Sequence, residues 1–255
     1  MSESISPVLT EQPVDNLPTL TFEEYRFYEG ELDVQYELYK GKLIPMPIAT
    51  VLHIKICEYL VYYLQRYVAT HNLDLVVKRG LGVRTEENSS RIPDVVVFTK
   101  SLLEQAGARP GGGILDLGET PLVVIEVVTE NRRVDYITKR VEYELANIPE
   151  YAIVDPAQNR QRVRVMAFPE GDDIYTELNY LPGEEMVSVV FPHLRLSVNE
   201  ILDPPLVESL IKVEQAQLRE LKQAAMERLD FQEERQRVEK LAAKLRELGV
   251  DPDTV

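Results

Sequence analysis

Two runs of strand-forming residues each carry a single carboxylate at a position that should belong to the core. Pro121-Leu-Val-Val-Ile-Glu126-Val-Val128 and Arg91-Ile-Pro-Asp94-Val-Val-Val-Phe98 are otherwise so uniformly apolar that both faces of their sheet must be covered. That demand points to an α/β chain with helices around a central sheet. It also leaves Asp94 and Glu126 in need of partners, because taking an ionised carboxylate out of water costs roughly several kcal/mol even after relaxation. Two such acids close together call for a metal ion held through oxygen.

The 255 residues, 44% of them hydrophobic, suffice for one well-cored domain and an appendage. The first twenty residues lack a basic segment followed by an apolar one, and no apolar run approaches the ~20 residues of a membrane helix. The expectation is a soluble, cytoplasmic protein with no membrane partner. Cys57 is the one cysteine, which rules out an internal disulfide and a cysteine-based zinc site; it falls in a helical apolar stripe and reads as a small core residue. The net charge of −15, of which −13 lies before Leu206, argues against nucleic-acid binding through overall charge. Any DNA contact must use a local patch.

Residues 1–18 have the composition of a flexible tail. Thr21-Phe-Glu-Glu24 forms a capping box for a short helix, and 36–39 with 43–46 flank Lys40-Gly41-Lys42 as a hairpin. Ile54, Cys57, Leu60, Val61, Leu64 and Val68 predict a helix over 51–68. Strands are expected at 73–77, 82–84, 94–98, 122–128, 148–155, 161–168, 174–181 and 186–190, with a helix over 134–147 and another ending near Leu202. Gly107, Pro110 and Gly111-Gly-Gly113 predict that at least part of 100–120 is a mobile loop. Pro204-Pro205 then separates a body, 19–204, from a helical tail, 205–248, and a flexible end, 249–255. The tail is long enough for ~65 Å of helix. Leu218, Leu221 and Ala225, then Val238, Leu241, Leu245 and Leu248, keep a 3-4 spacing across a polar gap at 230–237, so the tail reads as a short coiled coil or partner-docking helix rather than a solvated one. A homodimer or a partner protein is the corresponding expectation.

Pro93-Asp94 followed by Glu126-Val-Val128, with a strand under each acid, resembles the PD-(D/E)XK nuclease superfamily. The resemblance implies that Asp94 and Glu126 bind Mg²⁺ and that a lysine two residues later positions or activates water, but position 128 is Val. The wider order is Tyr36-Glu37-Leu with Gly41, His53, Ile92-Pro-Asp94, Val-Ile-Glu126-Val-Val-Thr129, Asp135-Tyr-Ile-Thr-Lys139, Tyr143, and Ile148-Pro-Glu-Tyr-Ala-Ile-Val-Asp155-Pro. Over about residues 20–203 that order resembles the Uma-type restriction endonuclease family, long classed as a domain of unknown function. It implies a restriction-endonuclease-like fold, a mixed β-sheet core flanked by helices, to which the long C-terminal helix is added. It also implies phosphodiester hydrolysis with Mg²⁺, Mn²⁺ as the substitute, and DNA as substrate.

Asp135, Lys139 and Tyr143 are spaced by four and share one helix face, so Lys139 can carry its ammonium to the place a lysine at 128 would occupy. Glu37 is a candidate third acid, and His53, Asp135 and Tyr143 are further site residues. Arg132 and Arg133, between the Glu126 strand and the Lys139 helix, are candidates for the substrate backbone. Each has a plainer reading: Asp94 as a turn cap, Glu126 as a structural ion pair, Asp135 with Lys139 as a surface salt bridge, Glu37 as solvent-facing, His53 as a satisfied core histidine. Arg160, Arg162 and Arg164 share a strand face that reads as solvated more readily than as a phosphate grip. There is no phosphate-binding Gly-x-x-x-x-Gly-Lys loop, Gly-x-Ser-x-Gly elbow or His-Glu-x-x-His helix. The reading is a metal-dependent endodeoxyribonuclease in which Asp94, Glu126 and Lys139 carry the chemistry. Net charge and Val128 favour the alternative, a non-catalytic interaction protein built on a nuclease-like fold with a coiled-coil tail.

Overall fold

The computed structural model describes residues 17–30, 34–111, 113–129, 132–170 and 172–249. The expected flexible ends, 1–18 and 249–255, fall almost wholly outside the described residues. The chain divides into two units, one up to Pro204 and one from Pro205.

The first unit opens with α1 (Phe22–Arg26), started by the capping box: the Glu24 amide donates to Thr21 Oγ1 and the Thr21 amide donates to Glu24 Oε2. The hairpin of β1 (Tyr36–Tyr39) and β2 (Lys42–Pro45) turns at Lys40 and Gly41, whose φ values of 50° and 80° match the twist of a tight two-residue connection. It belongs to a five-stranded sheet in the order β2-β1-β5-β4-β7, completed by β4 (Gly82–Glu86), β5 (Ser89–Arg91) and β7 (Ile114–Leu115).

The uniformly apolar runs build a second sheet of β3 (Leu75–Lys78), β6 (Val95–Thr99), β8 (Val123–Val127), β9 (Glu150–Asp155), β10 (Arg162–Ala167) and β11 (Thr176–Tyr180). Its order is β11-β10-β9-β8-β6-β3, with β8 and β9 parallel and the other neighbours antiparallel. Both faces are covered, as the composition of β6 and β8 requires. α2 (Val51–Thr70) packs across β3, β6 and β8 and buries Ile56, Cys57, Leu60 and Leu64. On the other face Val96, Phe98, Val124, Tyr151 and Ile153 share a core with Tyr143 of α4 (Arg140–Leu145). A hairpin of β12 (Glu185–Val187) and β13 (Arg195–Ser197) leads into α5 (Val198–Leu202), which packs on β9 and β10.

Two features add to the sequence reading. The segment 100–120, expected to be a loop at least in part, forms α3 (Lys100–Ala108) and β7 with turn residues between them, and Gly111 in that turn is closely packed. Gly111 has φ 67°, and a Cβ there would meet Arg26 Cγ at 2.5 Å. Asp116 accepts from Arg84 at 2.7 Å and Arg26 at 3.0 Å. The helix expected over 134–147 starts with a π-wound segment, Val134–Lys139, before α4. The Asp135 carbonyl there accepts the Tyr151 hydroxyl at 3.0 Å, an outside bond that accompanies the loosened winding. In the second unit, α6 (Val207–Glu247) runs without a break and buries none of its residues.

Strand register gathers one end of the six-stranded sheet. Val95 pairs with Ile125 and Val127 with Val154, so the start of β6 and the ends of β8 and β9 lie together. Continuing the β6–β8 register by one residue brings Asp94 level with Glu126.

Candidate active site

Asp94 is held where its strand begins. Pro93 has no N–H to give to a ladder, and the chain turns into β6 at Asp94. The side chain continues the pairing: Asp94 Oδ2 accepts the Val127 N–H at 2.7 Å. Oδ1 lies 2.9 Å from His53 Nε2, in the first turn of α2. The Thr50 side chain caps that helix by accepting the His53 N–H at 3.2 Å, which fixes the backbone of the histidine. Cys57, one turn on, places Sγ 3.7 Å from His53 Nδ1.

Glu126 is buried in the middle of the apolar run and accepts two hydrogen bonds on Oε1, from Lys139 Nζ at 2.9 Å and Tyr143 Oη at 2.8 Å. Both fall on the same oxygen, which leaves Oε2 as the atom available to a cation. Lys139 is shared, its Nζ lying 3.1 Å from Glu37 Oε1 and 3.7 Å from Asp135 Oδ1. Glu37 also accepts from Arg91 at 2.9 Å and from the Ile92 amide at 3.1 Å, and Arg91 forks onto Glu142, which accepts from Thr85 as well. Burial raises the Glu126 carboxyl to about 8; Lys139 opposes that shift, while Asp94, Asp135 and Glu37 add to it. Burial likewise raises Asp135, to about 6, against the pull of Lys139. Burial pushes the Glu37 carboxyl upward too, but Lys139, Arg91 and the Ile92 amide outweigh it and hold the group below its ordinary value. Lys139 is desolvated, yet its three carboxylates raise its pKa and keep it protonated.

These residues line a cavity of about 640 Å³. Glu37, His53, Asp94, Glu126, Asp135 and Lys139 all contribute to its wall, and Tyr143 supports Glu126 from behind. An apolar lip comes from Ile44, Pro45, Met46, Pro47 and Ala49, and Arg79 and Gly80 also border it. The two arginines read as substrate contacts are not on the wall. Arg132 donates to Asp155 at 2.9 Å and lies over the Tyr136 ring at 4.1 Å, while Arg133 is exposed. Arg164 is paired with Glu177 at 3.1 Å. Sequence reasoning missed Arg91, Glu142 and Arg79. For Arg91 a signal existed, a charged residue at the head of an apolar run; for Glu142 and Arg79 local pattern carried none.

The donor set suits a hard divalent cation. Four carboxylates border the cavity, and the one ammonium among them is divided between three, so the wall holds more carboxylates than cations. His53, Cys57 and Asp94 also bring ligand atoms within 4.8 Å of one another. Burial pushes the Cys57 thiol up to about 12, so in the metal-free protein it is a neutral weak donor rather than a thiolate ligand. The oxygen ligands are the better set.

The sheet is mixed, covered on both faces by helices, and brings acids of adjacent strands together at one end, an α/β arrangement. A crystal structure described as a "putative nuclease belonging to DUF820", from Anabaena variabilis ATCC 29413, matches it with a TM-score of 0.56 at 18% sequence identity, over 72% of this chain and 98% of that one. The Uma2 family model, described as "Putative restriction endonuclease", matches residues 22–199, and the chain belongs to that family. No curated protein matches it. Among the described residues, no helix is long and apolar enough to cross a membrane.

Proposed function

We propose that this protein is an endonuclease that hydrolyses phosphodiester bonds of DNA with Mg²⁺, or Mn²⁺ in its place, held by Asp94 and Glu126. The observation that carries the reading is the meeting of two acids from separate strands at one cavity, with more carboxylates than cations to satisfy them. A bound divalent ion supplies Lewis acidity toward a phosphoryl oxygen and makes water a stronger nucleophile. The protein's own groups do the rest. The Val127 amide and His53 fix the orientation of Asp94, and Tyr143 and Lys139 fix that of Glu126. Lys139, although carried by a different segment from the strand of Val128, brings a protonated amine to the same carboxylate and opposes charge developing on the phosphate. Glu37 and Asp135 hold that amine in place. For α6 we propose pairing with a second copy or with a partner helix as a coiled coil.

Calorimetric titration with Mg²⁺ and Mn²⁺, together with cleavage of mixed DNA and RNA substrates, tests the reading. Asp94→Asn and Glu126→Gln should each abolish metal-dependent cleavage, because an amide keeps the shape but loses the charge that holds the ion. Wild-type protein that binds neither ion and cuts neither nucleic acid would overturn it and leave the non-catalytic interaction protein.

A further inference from the structure

The charged groups of the cavity wall are committed to one another, with one exception. Lys139 is shared by Glu37, Glu126 and Asp135, and His53 is bonded to Asp94. Arg79 borders the same cavity, is exposed, and makes no hydrogen bond or ion pair among the described residues. Arg26, Arg84, Arg91, Arg109, Arg132 and Arg164, by contrast, are all held by carboxylates.

Topology places Arg79 at the same end of the sheet as the two acids. β3 is the edge strand next to β6, and Lys78 pairs with Val96. One residue further, Arg79 comes level with Val95, the neighbour of Asp94. Gly80 follows at φ 68°, with nothing within 4 Å of where a Cβ would lie, and Arg79 itself is exposed. Its positive charge is felt at Cys57, where it opposes part of the upward push of burial on the thiol behind His53.

A phosphodiester entering this cavity meets an acidic floor that repels it except where a metal ion lies. A second cation at the rim, free of acid partners and able to fork onto two phosphate oxygens, offsets that repulsion and fixes the strand's direction. We propose that Arg79 is the phosphate anchor of the site, gripping the backbone of the nucleic-acid strand that lies across Asp94 and Glu126. The apolar lip, continued outward by Ile48 at 96% exposure, then faces the sugars and bases. The assignment rests on the nuclease reading and names the group that recognises its substrate.

The test uses the full-length protein, a labelled DNA duplex and the variants Arg79→Ala, Arg79→Lys and Arg133→Ala, with binding measured by fluorescence anisotropy over a series of salt concentrations. Arg79→Ala should weaken binding about tenfold and lower the slope of log affinity against log salt by about 0.9, the share of one phosphate contact. Arg79→Lys should keep the slope and recover only part of the affinity, since an ammonium lacks the fork. Melting temperature and calorimetric Mg²⁺ binding should stay at wild-type values in both, and Arg133→Ala should bind as wild type does. Should Arg79→Ala match wild type in affinity and slope while the wild type binds and cuts DNA, the anchor is wrong and the nuclease reading stands. A drop in melting temperature or in Mg²⁺ binding would assign Arg79 a structural role and overturn the proposal. Wild-type protein that fails to bind DNA overturns both.

Discussion

Glu126 combines burial, two hydrogen bonds on one oxygen and three nearby acids. Its carboxyl is raised by burial from 4.5 to about 8, with Lys139 and Tyr143 bonded to it and Asp94, Asp135 and Glu37 close by. A carboxyl raised on folding contributes stability that is present below its unfolded value and is lost as pH rises through the folded one. The metal-free protein should therefore lose stability between about pH 4.5 and about pH 8. Glu126→Gln keeps an acceptor for Lys139 and Tyr143 but cannot ionise, so in calorimetric melts the variant should gain on wild type as pH rises across that window. Parallel curves would mean that Glu126 ionises alike in the folded and unfolded chain. Lys139→Ala works in the opposite sense, since it leaves Glu37, Glu126 and Asp135 without their shared cation and should cost about 3–5 kcal/mol in the metal-free protein. Mg²⁺ should restore part of that loss by binding the folded form, and melts with and without the ion measure it; an unchanged melting temperature would show the three acids to be solvated. At this scale the sequence was legible where a residue breaks a pattern. Asp94 and Glu126 interrupt apolar strands, and Lys139 lies four residues from Asp135. The fork of Arg91 onto Glu142 spans 51 positions, and no local period reports it.

Among the elements, the segment between β6 and β8 shows what composition leaves open. Its glycines and proline mark a loop over at least part of it, and the structure adds α3 before that loop and, after it, Asp116 paired with Arg26 and Arg84, with Arg109 3.6 Å away. Burial pushes the Asp116 carboxyl upward, but the bonds from Arg84, the Leu117 amide and Arg26 prevail and lower it from 3.8 to about 2. A lowered carboxyl contributes stability above its unfolded value that is lost as pH falls through the folded one. Asp116→Asn should thus lower the urea midpoint at neutral pH, with the difference closing as pH falls from about 4 toward about 2. A difference that persists at the acid end would assign the effect to packing rather than charge. The 134–147 helix was legible as an element because its apolar positions recur. Its π-wound start was not, because the bond from Tyr151 to the Asp135 carbonyl comes from another strand.

For the whole molecule, the division at Pro204 and Pro205 leads to a separate expectation. α6 buries none of its residues, and Leu218, Leu221, Leu229, Val238 and Leu241 are exposed along it. Truncation after Pro205 should leave the melting temperature of the body unchanged and reduce the particle mass seen by light scattering from a pair to a single chain. A truncated body that unfolds would place the helix in the core of the first unit, and an unchanged mass would remove pairing of α6 with a second copy. The amino-acid sequence by itself determined the strand runs, the capped helices, the long tail and the two acids that do not fit their surroundings, because each follows from local periodicity or a local break in it. Only the tertiary structure decided that the strands form two principal sheets, that β3 lies at an edge with Arg79 beside the cavity, and that Asp94 comes level with Glu126. Those outcomes depend on register and on pairings between distant segments, where burial and charge are balanced over the assembled sheet and no single stretch of chain holds the answer.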